Sequence, residues 1–183
     1  MDRMLAIQIP TYNEDKLIKA AINDIPIKIK GFSHIELIVI NDGSSDKTIE
    51  IVKQSRVKHI INFEKHCGLG VAYRKGLEYA ISIGADIIVN YDADLQYKGD
   101  EIERLIQPVL EKNADVVIGD RQIKKIKGYP LWKACTQSFW NKLITFLFHI
   151  KIIDATSGFR AHSKKAAKLL LEYLQDDYTY SAE

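Results

Sequence analysis

The feature that most constrains this chain is its repeated alternation of short apolar runs with longer helical stretches. Residues 5–9, 36–40, 57–63, 86–91 and 115–118 read as strands, and residues 15–29, 68–83 and 99–112 as helices. A further helix follows Ser45 and Asp46, either of which can cap it. Runs that are apolar throughout, rather than at every second position, belong to strands buried on both faces. Strand and helix in regular succession imply a mostly parallel, doubly wound α/β sheet flanked by helices. Such sheets bind ligands at the carboxyl ends of their strands. The segments in question are PTYNE, NDGSSD, the loop after Phe63, DADLQ and GDRQ, and most of them place acidic or amide side chains there.

At 183 residues the chain suits one domain with a full core, read here as residues 1–183. A net charge of +2 gives no whole-chain case for binding nucleic acid, so any basic character is local. Cys67 and Cys135 form neither a disulfide framework nor a zinc site, and are expected as buried free thiols in a reducing compartment. The N-terminal residues lack the apolar region of a signal peptide. No run reaches the roughly 18 apolar residues of a membrane-spanning helix. The longest, residues 143–153, is interrupted by Thr145, His149 and Lys151.

Asp92-Ala93-Asp94 carries the clearest chemistry. Two carboxylates one residue apart at a strand end can hold a hard divalent cation beside a diphosphate. With 14 aspartates in the chain, about one such pair arises by chance, so context decides. Here the pair follows the apolar DIIVNY, and Gln96 adds an amide oxygen. The alternative is a solvated loop of turn-forming aspartates. In PTYNE, Pro10 ends the strand, Tyr12 offers an aromatic face to a base, and Glu14 can accept ribose or base protons. The competing reading is a turn in which Asn13 caps the next helix. Asp42 can accept from a base imino group. Gly68-Leu69-Gly70 lacks the third glycine of a dinucleotide fingerprint. His66 and His162 are read as structural.

PTYNE, IVINDGSSDKT, GLGVAYRKGLEYA, NYDADLQ, VIGDRQ and DATSGFR, in that order, resemble family 2 glycosyltransferases, and within them the dolichol-phosphate mannose synthases and their polyprenyl-phosphate relatives. The resemblance covers nearly the whole chain. It implies a GT-A type fold, a nucleoside diphosphate sugar donor (GDP-mannose or a UDP-sugar, with mannose favoured), Mg²⁺ or Mn²⁺, and inversion at the anomeric carbon. Carried over by motif, Pro10, Tyr12, Glu14, Asp42 and Asp92 line the nucleotide pocket, and Asp92, Asp94 and Gln96 surround the metal. Asp94, Arg121 and Arg160 hold the catalytic roles, the arginines meeting the phosphates of donor and lipid acceptor. Lys133, Ser157 and Arg160 face the acceptor phosphate, although Ser157 alternatively caps a turn. The sequence departs from the family pattern at Asn41, where an aspartate is usual, at Lys133, where an arginine is usual, and at QYKGD, where QHPPE is usual. Relatives continue past DDYTYSAE, so a C-terminally truncated catalytic domain is expected.

The implied reaction expels a nucleoside diphosphate, and cations stabilise the charge that grows on it. A phosphate monoester is largely ionised near neutral pH and attacks without a general base. Residues 131–150 read as a helix whose Lys133, Gln137, Asn141, Thr145 and His149 form one polar stripe. Its aromatic faces suit either a headgroup layer or cover by further chain, and Lys124, Lys125 and Lys127 would attract anionic lipid. The enzyme is therefore expected at the cytoplasmic face of a membrane, in peripheral contact with it. Two other functions compete: a family 2 transferase acting on a saccharide hydroxyl, and an inactive donor-binding fragment.

Overall fold

The computed structural model describes residues 2–120, 154 and 157–173. Six strands form one sheet: β1 (Met4–Thr11), β2 (His34–Asn41), β3 (His59–Asn62), β4 (Ile87–Asn90), β5 (Val116–Ile118) and β6 (Arg160–Ser163). Five helices accompany them: α1 (Ile18–Asp24), α2 (Thr48–Lys53), α3 (Leu69–Ser82), α4 (Glu101–Leu110) and α5 (Lys164–Tyr173). The strand order is β3-β2-β1-β4-β6-β5. The first four strands in that order run parallel, and β6 runs antiparallel to both of its neighbours.

The side-chain period of two divides the strands between two cores. Leu5, Ile7, Ile9, Val39, Val89 and Tyr91 pack with Ile18 and Ile22 of α1, Val52 of α2, and Ile102, Leu105 and Ile106 of α4. On the opposite face, Ala6, Ile38, Ile40 and Ile88 pack with Ala72, Tyr73 and Leu77 of α3 and Ala167 of α5. Helices on both faces explain why the strands read as unbroken apolar runs. The doubly wound expectation holds, with shorter elements than the sequence suggests. The first helix spans Ile18–Asp24 and the third strand His59–Asn62.

The sequence reading did not anticipate β6 or α5. Arg160–Ser163 reads RAHS, with no apolar run to mark a strand. It becomes one because it fills the gap between β4 and β5, where Ala161 and His162 are buried. Being antiparallel, it begins at the end of the sheet where the parallel strands finish. That places Arg160 opposite Asn90 and Ile118, at the edge that carries the acidic motifs.

Asn13 does not cap α1, as one sequence reading held. Its φ is 54°, in the left-handed region that asparagine tolerates. Its side chain accepts the Ser45 N–H at 2.9 Å, and its own N–H donates to Ser44 Oγ at 2.9 Å. Nearby, the Glu14 N–H donates to Thr48 Oγ1 at 2.8 Å and the Asp15 N–H to Asp46 Oδ2 at 3.1 Å. The loops after β1 and β2 are thus sewn together. Asp46 also accepts the Thr48 N–H at 2.9 Å beside the first turn of α2, whose cap residue is Lys47 and not the expected Ser45 or Asp46. The cysteine expectation needs correction: Cys67 is exposed, because its loop lies over the ends of the strands rather than between layers. Cys135, residues 131–150 and Lys124, Lys125 and Lys127 lie outside the described residues.

His162 is structural, as expected. It is 4% exposed, and its Nε2 lies 2.8 Å from the Tyr73 hydroxyl. Burial first, and the Arg160 charge second, push its pKa down to about 4 from an ordinary 6.5. The depressed value gives stability that is complete above pH 6.5 and is lost as pH falls toward about 4. The loss should approach about 3 kcal/mol. Urea denaturation across this range should show His162→Gln with a flatter acid limb than the wild type, whatever its stability at neutral pH.

Candidate active site

A cleft of about 210 Å³ opens at the carboxyl ends of β1, β2 and β4, lined by Pro10, Thr11, Tyr12, Glu14, Asp42, His66, Leu69, Ala72, Asp92, Ala93 and Asp94. Six residues singled out from sequence therefore meet in one place: Pro10, Tyr12, Glu14, Asp42, Asp92 and Asp94. Arg160 stands at the same sheet edge, with its Nε donating to the Ser157 carbonyl at 2.6 Å. Arg121 and Lys133 lie outside the described residues.

Asp42 is buried, and each of its carboxylate oxygens already accepts a backbone N–H. Cys67 N donates to Oδ1 at 2.7 Å and Gly68 N to Oδ2 at 2.9 Å. His66 Nδ1 also lies 2.9 Å from Oδ2. A carboxylate has about four acceptor sites, so the two amides leave acceptor capacity for a ligand. Gly43 makes the arrangement possible. Its φ is +70°, and a Cβ there would sit 2.4 Å from the Lys65 carbonyl carbon and 2.5 Å from His66 N. Only glycine lets the end of β2 approach the loop before α3 this closely. Asn41, at the departure from the family pattern, is buried and donates to Asn62 Oδ1 of β3 at 2.7 Å.

Asp92 is held by residues the sequence reading passed over. Asn90 Nδ2 donates to Asp92 Oδ1 at 3.2 Å and to the Gly158 carbonyl at 2.8 Å. Asn90 in turn accepts Gln8 Nε2 from β1 at 3.2 Å, with both side chains buried in the sheet. A Cβ on Gly158 would sit 2.1 Å from Asp92 Oδ2, so the glycine of TSGFR is the floor beneath this carboxylate. A polar pair facing across two apolar strands was the sequence signal for Gln8 and Asn90. Nothing in the sequence could have paired Gly158 with Asp92.

Asp94 is exposed and accepts the Gln96 backbone N–H at 3.0 Å. The side chain of Gln96 is exposed and does not line the cleft. The turn between them is tight: Leu95 has φ 59°. Ser157 is fully buried, with its hydroxyl 2.7 Å from that of Tyr97 and accepting the Phe159 N–H at 3.2 Å. These contacts match the turn-bracing alternative for Ser157. Tyr97 also donates to the Gly119 carbonyl at 3.1 Å and stacks on Phe159, with ring centroids 4.4 Å apart. The unusual QYKGD segment therefore pins the loop after Asp94 to the TSGFR turn.

Negative charge accumulates in this cleft. Glu14 has its pKa raised, first by burial, then by the charges of Asp94 and Asp46. Among the described residues no three acidic, histidine or cysteine groups form a ready-made metal centre. Asp92 and Asp94 still suit Mg²⁺ or Mn²⁺ chemically. Magnesium-type ions take one or two carboxylates and complete their shell with water and substrate phosphate. A cation there would also offset the like-charge crowding that Glu14 registers.

The family description "Glycosyl transferase family 2" matches residues 6–171. The UDP-N-acetylglucosamine–dolichyl-phosphate N-acetylglucosaminyltransferase of Methanococcus voltae is 33% identical, over 95% of this chain and 75% of its own. The polyprenol monophosphomannose synthase of Mycolicibacterium smegmatis is 28% identical, over 86% of this chain and 60% of its own. Among solved structures, glucosyl-3-phosphoglycerate synthase from Mycobacterium tuberculosis, in complex with Mn²⁺, UDP and glucosyl-3-phosphoglycerate, superimposes with a TM-score of 0.67 at 21% identity. That match covers 89% of this chain and 57% of the solved one, so this chain spans little more than half its length. The likeness establishes the GT-A type fold expected from sequence.

Two outcomes follow from this geometry. Gly158→Ala should cost about 1–3 kcal/mol by overpacking, and markedly less beside Asp92→Ala, because the clash is with that carboxylate. Urea denaturation of the four proteins in the cycle checks the coupling; equal costs in both backgrounds would refute it. A raised carboxyl pKa means that Glu14 favours folding only while protonated, and the advantage is lost as pH rises through its folded value. Glu14→Gln should therefore raise the melting temperature at pH 7, since burial and the neighbouring carboxylates both disfavour the charge. The gain should vanish in acid, where Glu14 is neutral in both states.

Proposed function

We propose that this chain, which belongs to glycosyl transferase family 2, moves a sugar from a nucleoside diphosphate donor to a polyprenyl or dolichyl phosphate. The observation that carries the reading is the single cleft in which Pro10, Tyr12, Glu14, Asp42, Asp92 and Asp94 meet at the carboxyl ends of parallel strands. The two relatives above, named for transfer to dolichyl phosphate and for polyprenol monophosphomannose synthesis, support the choice of acceptor. Mannose was the expectation from sequence, whereas the Methanococcus relative is named for N-acetylglucosamine. A donor panel separates the two.

In the proposed mechanism, Tyr12 and Asp42 take the nucleoside, Tyr12 by its half-exposed ring and Asp42 by the acceptor capacity its amide bonds leave. Asp92 and Asp94 would hold Mg²⁺ or Mn²⁺, which when bound supplies Lewis-acid stabilisation of the leaving diphosphate. Gln96 contributes through its backbone N–H, which fixes Asp94. An acceptor phosphate oxygen attacks the anomeric carbon from the face opposite the diphosphate. The carbon–oxygen bond to the donor breaks as the new one forms, with inversion. The nucleophile is already anionic near neutral pH, so no general base is assigned. Arg160 at the sheet edge, together with Arg121 and Lys133, is proposed to screen the two phosphate groups from each other. The lipid acceptor places the reaction at a membrane surface, and we assign the cytoplasmic face. No helix among the described residues is long and apolar enough to cross a membrane.

The test is incubation with Mg²⁺ or Mn²⁺, a short-chain polyprenyl phosphate and a panel including GDP-mannose, UDP-N-acetylglucosamine and UDP-glucose, with lipid products read by mass spectrometry. One donor should yield glycosylated lipid phosphate, and Asp94→Asn should lower kcat by about 10²-fold or more, the usual scale for losing charge stabilisation of a leaving group. Transfer to a saccharide hydroxyl with none to lipid phosphate would move the protein to the other acceptor class. Failure of every nucleotide sugar to bind would overturn the reading altogether.

A further inference from the structure

His66, read from sequence as merely structural, stands on the wall of the cleft. Its ring lies against that of Tyr12, with centroids 4.0 Å apart and planes inclined by 30°. Its Nδ1 is 2.9 Å from Asp42 Oδ2. The same nitrogen lies 3.4 Å from the Asp42 backbone carbonyl; both oxygens only accept, so a protonated Nδ1 suits this position. One imidazole thus touches both groups assigned to the nucleoside. It is also the only side chain among the described residues lining the cleft that contains nitrogen.

Three facts argue against an incidental contact. His66 is about half exposed, so no packing demand places an aromatic ring there. Its backbone is fixed independently of its side chain, because Gly43 packs against Lys65 and His66 and Asp42 holds the next two amides. Tyr12 is 45% exposed, too open for the core to hold its ring, and His66 supplies an aromatic contact that does. A ring already confined to its bound orientation loses less freedom when a ligand stacks on it.

We propose that His66 is a positioning residue for donor binding, one that pre-orders the Tyr12 ring and the Asp42 carboxylate for the nucleoside. The inference rests on the proposed nucleoside diphosphate site. It adds that affinity depends on a residue in the loop between β3 and α3, outside the acidic motifs. The ring contact and the Nδ1–H contact are separate chemistries, and two variants divide them. His66→Phe keeps a ring without the donor, and His66→Asn keeps a donor without the aromatic face.

The experiment is calorimetric titration of the folded chain with GDP and with UDP, each with Mg²⁺, together with donor KM and kcat. His66→Ala should weaken binding of the preferred nucleotide and raise donor KM by roughly tenfold, the scale of one aromatic ring contact. The kcat should stay near wild type, because the lost contact is made equally in ground and transition states. Phe and Asn should each recover part of the affinity. Tyr12→Ala and His66→Ala should be non-additive when combined, since the histidine acts partly through the tyrosine. Wild-type affinity in His66→Ala overturns this inference alone. Equal losses in KM and kcat, without rescue by Phe or Asn, also overturn it by marking a general disturbance of the loop. If the wild type binds neither nucleotide, the proposed function falls, and this inference with it.

Discussion

The cleft depends on one carboxylate placed where two loops must meet. Asp42 leaves the end of β2 and accepts the N–H groups of Cys67 and Gly68, the last two residues before α3. Those amides would otherwise be unsatisfied donors at a helix start. Binding them with a side chain from the neighbouring strand satisfies them and fixes where α3 begins relative to the sheet. The helix packs on the opposite face from α1, α2 and α4. The same interaction therefore ties one layer of the fold to the edge of the sheet and builds one wall of the site. Gly43 permits the approach and His66 completes it. A carboxylate used in this way is part of the architecture before it is part of the chemistry.

The opposite wall follows a comparable plan with different residues. Asn90 ends β4 with a buried amide that joins Gln8, Asp92 and the Gly158 carbonyl. Amides in a sheet interior are an expense that a purely structural core avoids, since apolar residues would pack there without polar obligations. Here they form a continuous path from the middle of the sheet to the carboxylate at its rim. Gly158 closes the space beneath that carboxylate, and Tyr97 and Ser157 brace the turn beside it. Asp92 is held from within the sheet, whereas Asp94 projects from a turn held by its own neighbour's N–H. The two aspartates of one short motif thus differ in freedom, the first fixed and the second more open to solvent.

How much of this was legible in the sequence depends on how local each signal is. The unbroken apolar runs specify strands buried on both faces, and the residues that follow them specify where polar ligands would sit. Both are properties of adjacent residues. Pro10, Tyr12, Glu14, Asp42, Asp92 and Asp94 could accordingly be named in advance. β6 could not, because RAHS becomes a strand only through the gap between β4 and β5. Gly158 and His66 owe their places to partners 66 and 54 positions distant (Asp92 and Tyr12), and no periodicity encodes such pairs. Asn13 was misread for a related reason. Its type suits a helix cap and a loop-to-loop stitch equally, and only the closeness of Ser44 and Ser45 decides between them. For Cys67 the general tendency of free cysteines to be buried was no guide, because its backbone is held by Asp42 while its side chain is exposed.

The charge distribution ties these parts together. Four carboxylates share the cleft, but three of them are locally compensated. Asp42 has two backbone amides and His66, Asp92 has the Asn90 amide, and Asp94 has the Gln96 N–H. The uncompensated charge appears at Glu14, whose raised pKa reflects burial and the nearness of Asp94 and Asp46. A site built to receive an anionic diphosphate would not be left this acidic without a cation to sit between acid and phosphate. Under the proposed function, Asp92 and Asp94 would hold a divalent ion whose charge would offset the acidity of the cleft toward a diphosphate and the repulsion acting on Glu14. With that repulsion offset, Glu14 would be the better placed to accept from donor hydroxyls. Cation and donor would thereby favour each other's binding through a carboxylate that neither needs to displace.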